Sequence, residues 1–148
     1  MQESILVHTW TDKAFAVVSD LAGMGRFSPE NDGGKWLGGA SAAALGARFR
    51  GRNSNGGYRW STIATVTAYD APRLFSFDVT YGTIPVSTWV YDITSSAEGV
   101  TITERWTDNR PGWFALLTSP LRRNRQAFTA RSMRATLEAM KAELEASR

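Results

Sequence analysis

Hydrophobic and polar positions alternate through the middle of the chain, then change to a helical rhythm towards its end. Ser4–His8 reads as a first strand. Thr11-Asp12-Lys13 offers an N-cap and an early acidic residue for a helix running through Leu21, with Phe15, Val18 and Leu21 along one side. Gly23 to Ala44 is rich in glycine and holds Ser28-Pro29-Glu30 and Lys35-Trp36-Leu37-Gly38-Gly39. A short helix followed by a long loop is expected there. From Gly46 to Thr107 the pattern predicts a succession of strands. Gly46–Asn53 and Tyr58–Tyr69 flank Ser54-Asn55-Gly56-Gly57, whose Asn-Gly pair tolerates the positive φ of a tight hairpin. Asp70-Ala71-Pro72-Arg73 turns into Leu74–Tyr81, Gly82-Thr83-Ile84-Pro85 into Val86–Thr94, and Glu98-Gly99 into Val100–Thr107. Connections this short predict an antiparallel meander.

Alternation sorts the strand faces. Phe75, Phe77, Val79 and Tyr81 fall together, opposite Leu74, Ser76, Asp78 and Thr80. In the following strands Trp89, Tyr91 and Ile93, then Ile102, Glu104 and Trp106, share the apolar phase. Their opposites are threonine-rich and charged, so the sheet is expected to be covered on one side only. After Asp108-Asn109-Arg110-Pro111-Gly112 the pattern becomes helical. Ala130, Met133, Leu137, Met140 and Leu144 form one apolar stripe of a helix from Asn124 to Ala146. Phe128 falls on the opposite face, where a large apolar ring needs cover from a second copy of the chain or from Trp113–Leu121.

Composition narrows the class. At 148 residues, 43% hydrophobic and 21% charged, the chain suits one globular domain, residues 1–148, rather than disorder. It has no cysteine and one histidine, which removes disulfides and thiolate metal sites and argues against zinc. The first eight residues lack a basic region and a long apolar run, so neither signal peptide nor membrane anchor is expected, and a cytoplasmic location is. The pI near 9.6 overstates the charge. Lys+Arg 17 against Asp+Glu 14 leaves +3, and the excess is arginine, whose high pKa lifts the isoelectric point without a strongly cationic surface.

The order strand, helix, glycine-rich segment, antiparallel strands and long terminal helix resembles the START-like (SRPBCC) superfamily, in particular bacterial polyketide cyclase/dehydrase-related proteins. The resembling residues are Asp20-Leu21, Met24-Gly25-Arg26-Phe27-Ser28-Pro29-Glu30, Trp36-Leu37-Gly38-Gly39-Ala40 and Gly46-Ala47-Arg48-Phe49-Arg50-Gly51. Tyr58-Arg59-Trp60-Ser61-Thr62, Val100-Thr101-Ile102-Thr103-Glu104-Arg105-Trp106 and the Leu137–Leu144 helix continue it. The resemblance implies an α+β helix-grip fold: a curved antiparallel sheet wrapped around a long C-terminal helix, with a hydrophobic cavity between them. It implies a ligand that is apolar or polycyclic, no cofactor, and either cyclase/dehydratase-type chemistry or a carrier or sensor role for a lipid-like metabolite. Fold alone does not choose between these.

Candidate site residues follow from phase and chemistry. Trp60, Phe75, Phe77, Tyr81, Trp89, Tyr91 and Trp106 are expected to bind the ligand, each ring being either cavity wall or core. Glu104 is the carboxylate that alternation puts among the aromatic residues, where lost hydration raises its pKa and suits it to acid–base work. Its structural alternatives are an ion pair with an arginine or a bulge that turns it to solvent. His8, on a strand that in the START-like fold lies beside the last, is a candidate partner for Glu104 or else a strand-end histidine without a task. Arg48, Arg50 and Arg52 on one strand, with Arg122, Arg123 and Arg125 before the last helix, raise a different class, a basic nucleic-acid-binding accessory protein. No nucleic-acid motif accompanies them, so a solvated strand face is expected and nucleic acid is not, nor is membrane insertion.

Overall fold

The computed structural model describes residues 1–28, 31–118 and 125–147, with the side chains of 55, 118 and 125–128 outside the description. Seven strands form one antiparallel sheet in the order β1-β7-β6-β5-β4-β3-β2. They are β1 (Gln2–Val7), β2 (Asn31–Trp36), β3 (Arg48–Asn55), β4 (Tyr58–Asp70), β5 (Leu74–Tyr81), β6 (Ile84–Ser96) and β7 (Gly99–Asp108). Among the described residues three α-helices accompany them: α1 (Thr11–Val18), α2 (Gly112–Thr118) and α3 (Arg125–Ala146). Curved and unclosed, the sheet grips the C-terminal helix, which is the helix-grip architecture.

The apolar stripe of α3 faces the sheet. Met133, Leu137, Met140 and Leu144 are all buried, and the 22-residue helix is long enough, at about 1.5 Å per residue, to lie across several strands. Leu137 and Met140 pack into one core with Ile5, Val7, Phe75 and Ile102 from the sheet and Phe15 and Val18 from α1. Polar contacts fix the helix along β1. Arg134 Nη1 donates to the Ser4 carbonyl at 3.0 Å, Lys141 Nζ to the Leu6 carbonyl at 2.7 Å, and the His8 amide to Glu145 Oε2 at 3.0 Å. The outer face is polar: Thr88 donates to Asp78 at 2.7 Å, Ser4 and Thr103 share a hydrogen bond at 2.9 Å, and Arg105 pairs with Asp92. Arg48, Arg50 and Arg52 are exposed there, with Lys35 of β2 directly opposite Arg50.

Three local expectations are corrected. The first helix ends at Val18 rather than Leu21, and Thr11 is not its cap: Trp10 holds that position without a side-chain hydrogen bond. Ser19 Oγ donates back to the Phe15 carbonyl at 2.7 Å, and Asp20 accepts from the Gly23 amide at 3.1 Å. Asp20 thereby starts a separate 3-10 helix, Leu21–Arg26. The glycine-rich stretch also contains a strand, β2, at the sheet edge. A Cβ on Gly34 would sit 1.9 Å from the Arg50 carbonyl oxygen, so glycine lets β2 approach β3 closely. Gly33, at φ +92°, lies in the register shift between Asn31 and Gly34. The C-terminal helix is described from Arg125, and Asn124, where it is expected to start, lies outside the described residues. Arg122 and Arg123 and the side chains of Arg125 and Phe128 lie outside the described residues, as does the end of Trp113–Leu121.

Candidate functional site

β3 to β7 curve away from α3 over part of its length and leave a cavity of about 150 Å³. Inward residues of successive strands make its wall: Phe49 from β3, Trp60 from β4, Phe77 from β5, Trp89 and Tyr91 from β6, Glu104 and Trp106 from β7. Register puts them side by side. Trp89 pairs with Trp106, and Tyr91 with Glu104. The two indole rings lie 6.4 Å apart. The helical wall is less apolar: Thr129, Ser132 and Thr136 flank Met133 at helical spacing. Leu21 and Met24 of the 3-10 helix close another side. At the end of β7, Arg110 holds Asp108 through two hydrogen bonds, Nε to Oδ1 at 2.9 Å and Nη2 to Oδ2 at 2.7 Å.

Glu104 is 1% exposed, among the most deeply buried polar residues of the fold. Neither structural alternative accounts for it: β6 and β7 pair in continuous register past it, and no arginine or lysine pairs with it among the described residues. The Tyr91 hydroxyl donates to Oε2, while Oε1 has no hydrogen-bond partner among the described residues. Loss of hydration is the main cause that pushes its carboxyl up from 4.5 to about 8. Glu3, directly opposite on β1, adds to this by its charge, and the Tyr91 hydrogen bond opposes it. Burial, then the neighbouring carboxylate, holds the Tyr91 phenol well above its usual range. The carboxyl therefore carries its proton near neutral pH and can give or take one there. A second buried polar atom on the cavity lining, Thr129 Oγ1, also has no partner among the described residues.

Trp60, Phe77, Trp89, Tyr91, Trp106 and Glu104 thus meet around one cavity, and three other candidates do not. Phe75 is fully buried and belongs to the core, where Phe15 and Tyr69 pack edge-on against it. Tyr81 is 46% exposed, and its ring packs 6.1 Å from that of Phe114. It is the last residue of β5, beside the Gly82-Thr83 turn and beyond the cavity wall made by Phe77 and Val79. His8 is exposed, its Nδ1 2.8 Å from the Glu98 carbonyl oxygen. It lies beyond the Val7–Val100 pair, whereas Glu104 faces Glu3. His8 is five residue steps along the chain from Glu3, roughly 17 Å at the rise of an extended chain, so no acid–base pair with Glu104 forms.

Sequence reasoning missed the hydroxyl-rich strip Thr129, Ser132 and Thr136, and the Asn53–Thr62 hydrogen bond of 3.1 Å, both on the cavity lining. A signal existed for the second. With Arg48, Arg50 and Arg52 outward, Phe49, Gly51 and Asn53 must face in. Among the described residues no group of three or more histidine or carboxylate side chains could hold a metal ion, and no helix is long and apolar enough to cross a membrane.

Residues 1–145 match the sequence profile of a family described as polyketide cyclase/dehydrase and lipid transport. The chain belongs to this family. No curated protein matches it. Among solved structures, it is similar to the polyketide-cyclase-like protein Cgl2372 of Corynebacterium glutamicum, with 25% identity, a TM-score of 0.62, and coverage of 99% of this chain and 91% of that one. The di-domain ARO/CYC StfQ of the steffimycin biosynthetic pathway shares the fold at 13% identity and a TM-score of 0.77, over 99% of this chain and 50% of that one. Protein NE0264 of Nitrosomonas europaea does so at 10% identity and a TM-score of 0.74, over 99% and 94%. Membership of the polyketide cyclase/dehydrase and lipid transport family supports a cyclase-type or ligand-binding function.

Proposed function

We propose that this family member binds a flat hydrophobic or polycyclic molecule in the cavity, in the cytoplasm, and that Glu104 exchanges protons with it in cyclase- or dehydratase-type turnover. The observation that carries the reading is a buried carboxyl, protonated near neutral pH, set in a wall of tryptophan, tyrosine and phenylalanine rings. Indole faces hold a flat ligand in one orientation, and apolar walls favour its folded over its extended forms. The carboxyl can protonate a departing hydroxyl, and its carboxylate can remove a proton next to a ligand carbonyl. Tyr91 holds Oε2 in place and leaves Oε1 for the ligand.

Native mass spectrometry of gently purified protein should retain a small molecule, identifiable after denaturation. With that molecule or its precursor, Glu104→Gln should lose turnover while the aromatic walls still bind the molecule. Unchanged turnover would remove Glu104 from the chemistry. Binding with no turnover in the wild type would leave a carrier.

A further inference from the structure

We infer that the ligand this cavity selects carries a basic nitrogen, bound as an ammonium ion between the Glu104 carboxylate and the Trp89–Trp106 pair. The inference rests on the cavity being the binding site and specifies the charge of its occupant. Four observations converge on a cation. Among the described residues the ionisable side chains on the lining are Tyr91, Glu104, Asp108 and Arg110, and Arg110, the one cation of that set, is tied to Asp108 by two hydrogen bonds. Glu104 keeps one oxygen unpartnered among the described residues at 1% exposure, and as a carboxylate that oxygen needs a donor. Glu3 stands directly opposite Glu104 and increases the negative charge around it. The neighbouring pair towards the end of β7 is Trp89 and Trp106, whose π faces also attract positive charge.

Other charge types fit less well. A carboxylate ligand would bring a second anion beside Glu104 and Glu3. A neutral hydroxyl would satisfy Oε1 but gain nothing from the ring faces or from Glu3. An ammonium group satisfies Oε1, gains from the rings and neutralises the carboxylate. The groups around Glu104 oppose none of this: β1 presents Glu3, β6 presents Tyr91, and α3 presents Thr129, Met133 and Thr136, with no cation from α3 lining the cavity among the described residues.

Proton accounting makes the inference measurable. Free protein holds Glu104 protonated at pH 6 to 7, and the complex holds it as carboxylate, so binding an ammonium ion releases one proton. Affinity should then rise about tenfold per pH unit below about pH 8 and level off above it. The probes are four compounds on one ring: tryptamine, tryptophol, indole-3-acetate and indole. Binding to the full chain is followed by titration calorimetry at pH 6, 7 and 8 in two buffers of different ionisation enthalpy. Tryptamine should bind at least tenfold tighter than tryptophol at pH 8, indole-3-acetate weakest, with one proton released at pH 6. Glu104→Gln should lose both the pH slope and the preference, and the proton count in wild-type protein tests the inference even if that variant folds poorly. Tryptophol or indole binding as tightly as tryptamine, or tryptamine binding without proton release, would overturn the charge assignment and leave the cavity reading intact. Binding of none of the four would overturn both.

Discussion

Replacing Glu104 with glutamine should change how stability responds to pH more than it changes stability at any one acidic pH. The folded carboxyl holds its proton up to about pH 8, whereas the unfolded chain releases it near 4.5. Between those values the unfolded state binds fewer protons than the folded one, so rising pH favours unfolding. The contribution of Glu104 is therefore fully present below pH 4.5 and lost as pH climbs through about 8. At about 1.4 kcal/mol per pKa unit the whole span corresponds to about 5 kcal/mol, an upper figure because local opening admits water to the charged form. Glutamine keeps the shape and an acceptor for the Tyr91 hydroxyl but cannot ionise. The variant should match the wild type within about 1 kcal/mol at pH 5 and exceed it by several kcal/mol at pH 9. Urea unfolding of both proteins at pH 5, 7 and 9 provides the test, with the difference between them cancelling the other carboxylates. A difference independent of pH would show that Glu104 titrates normally and that its burial does not control its proton.

Leu137→Ala, at a fully buried position on α3, should cost about 2–5 kcal/mol; a loss under about half a kcal/mol in denaturant melts would mean α3 does not pack as described. Tyr91→Phe removes the hydrogen bond that lowers the Glu104 pKa, so the carboxyl should titrate above about 8, and a titration of labelled glutamate by NMR that moved the other way would contradict the donor assignment.

Most of the sheet was legible because one of its faces is wet. Where strand pairing is regular, as along β6 and β7, alternation alone put Tyr91, Glu104 and Trp106 on the inner face. It failed at Tyr81, which keeps its phase but ends β5 beyond the reach of the cavity, a boundary that period-two reasoning cannot foresee. β2 was hidden because its glycines serve a close approach between strands, and the same residue type signals loops. The end of α1 turned on a competition between the side chains of Ser19 and Asp20 and the helix itself. The apolar stripe of α3 was plain, but its cavity-facing side was not. Thr129, Ser132 and Thr136 look like ordinary surface until the sheet curves over them, and curvature is a tertiary property. Glu104 was placed by its phase; that no cation among the described residues pairs with it depends on where the arginines go, which a sequence does not state.

The pairing of β1 with β7 has a consequence for how the chain reaches this state. The Ser4–Thr103 hydrogen bond joins residues 99 apart in sequence, and Lys141 reaches Leu6 across 135. Such distant contacts close late, after the hairpins of β3 to β7 can form locally. Until β1 and α3 dock, Glu104 stands on an open edge in water, where a carboxylate at neutral pH is ionised. The docking that seals the cavity must therefore be accompanied by capture of a proton from solvent, and the closing step of folding should slow as pH rises from 6 to 9.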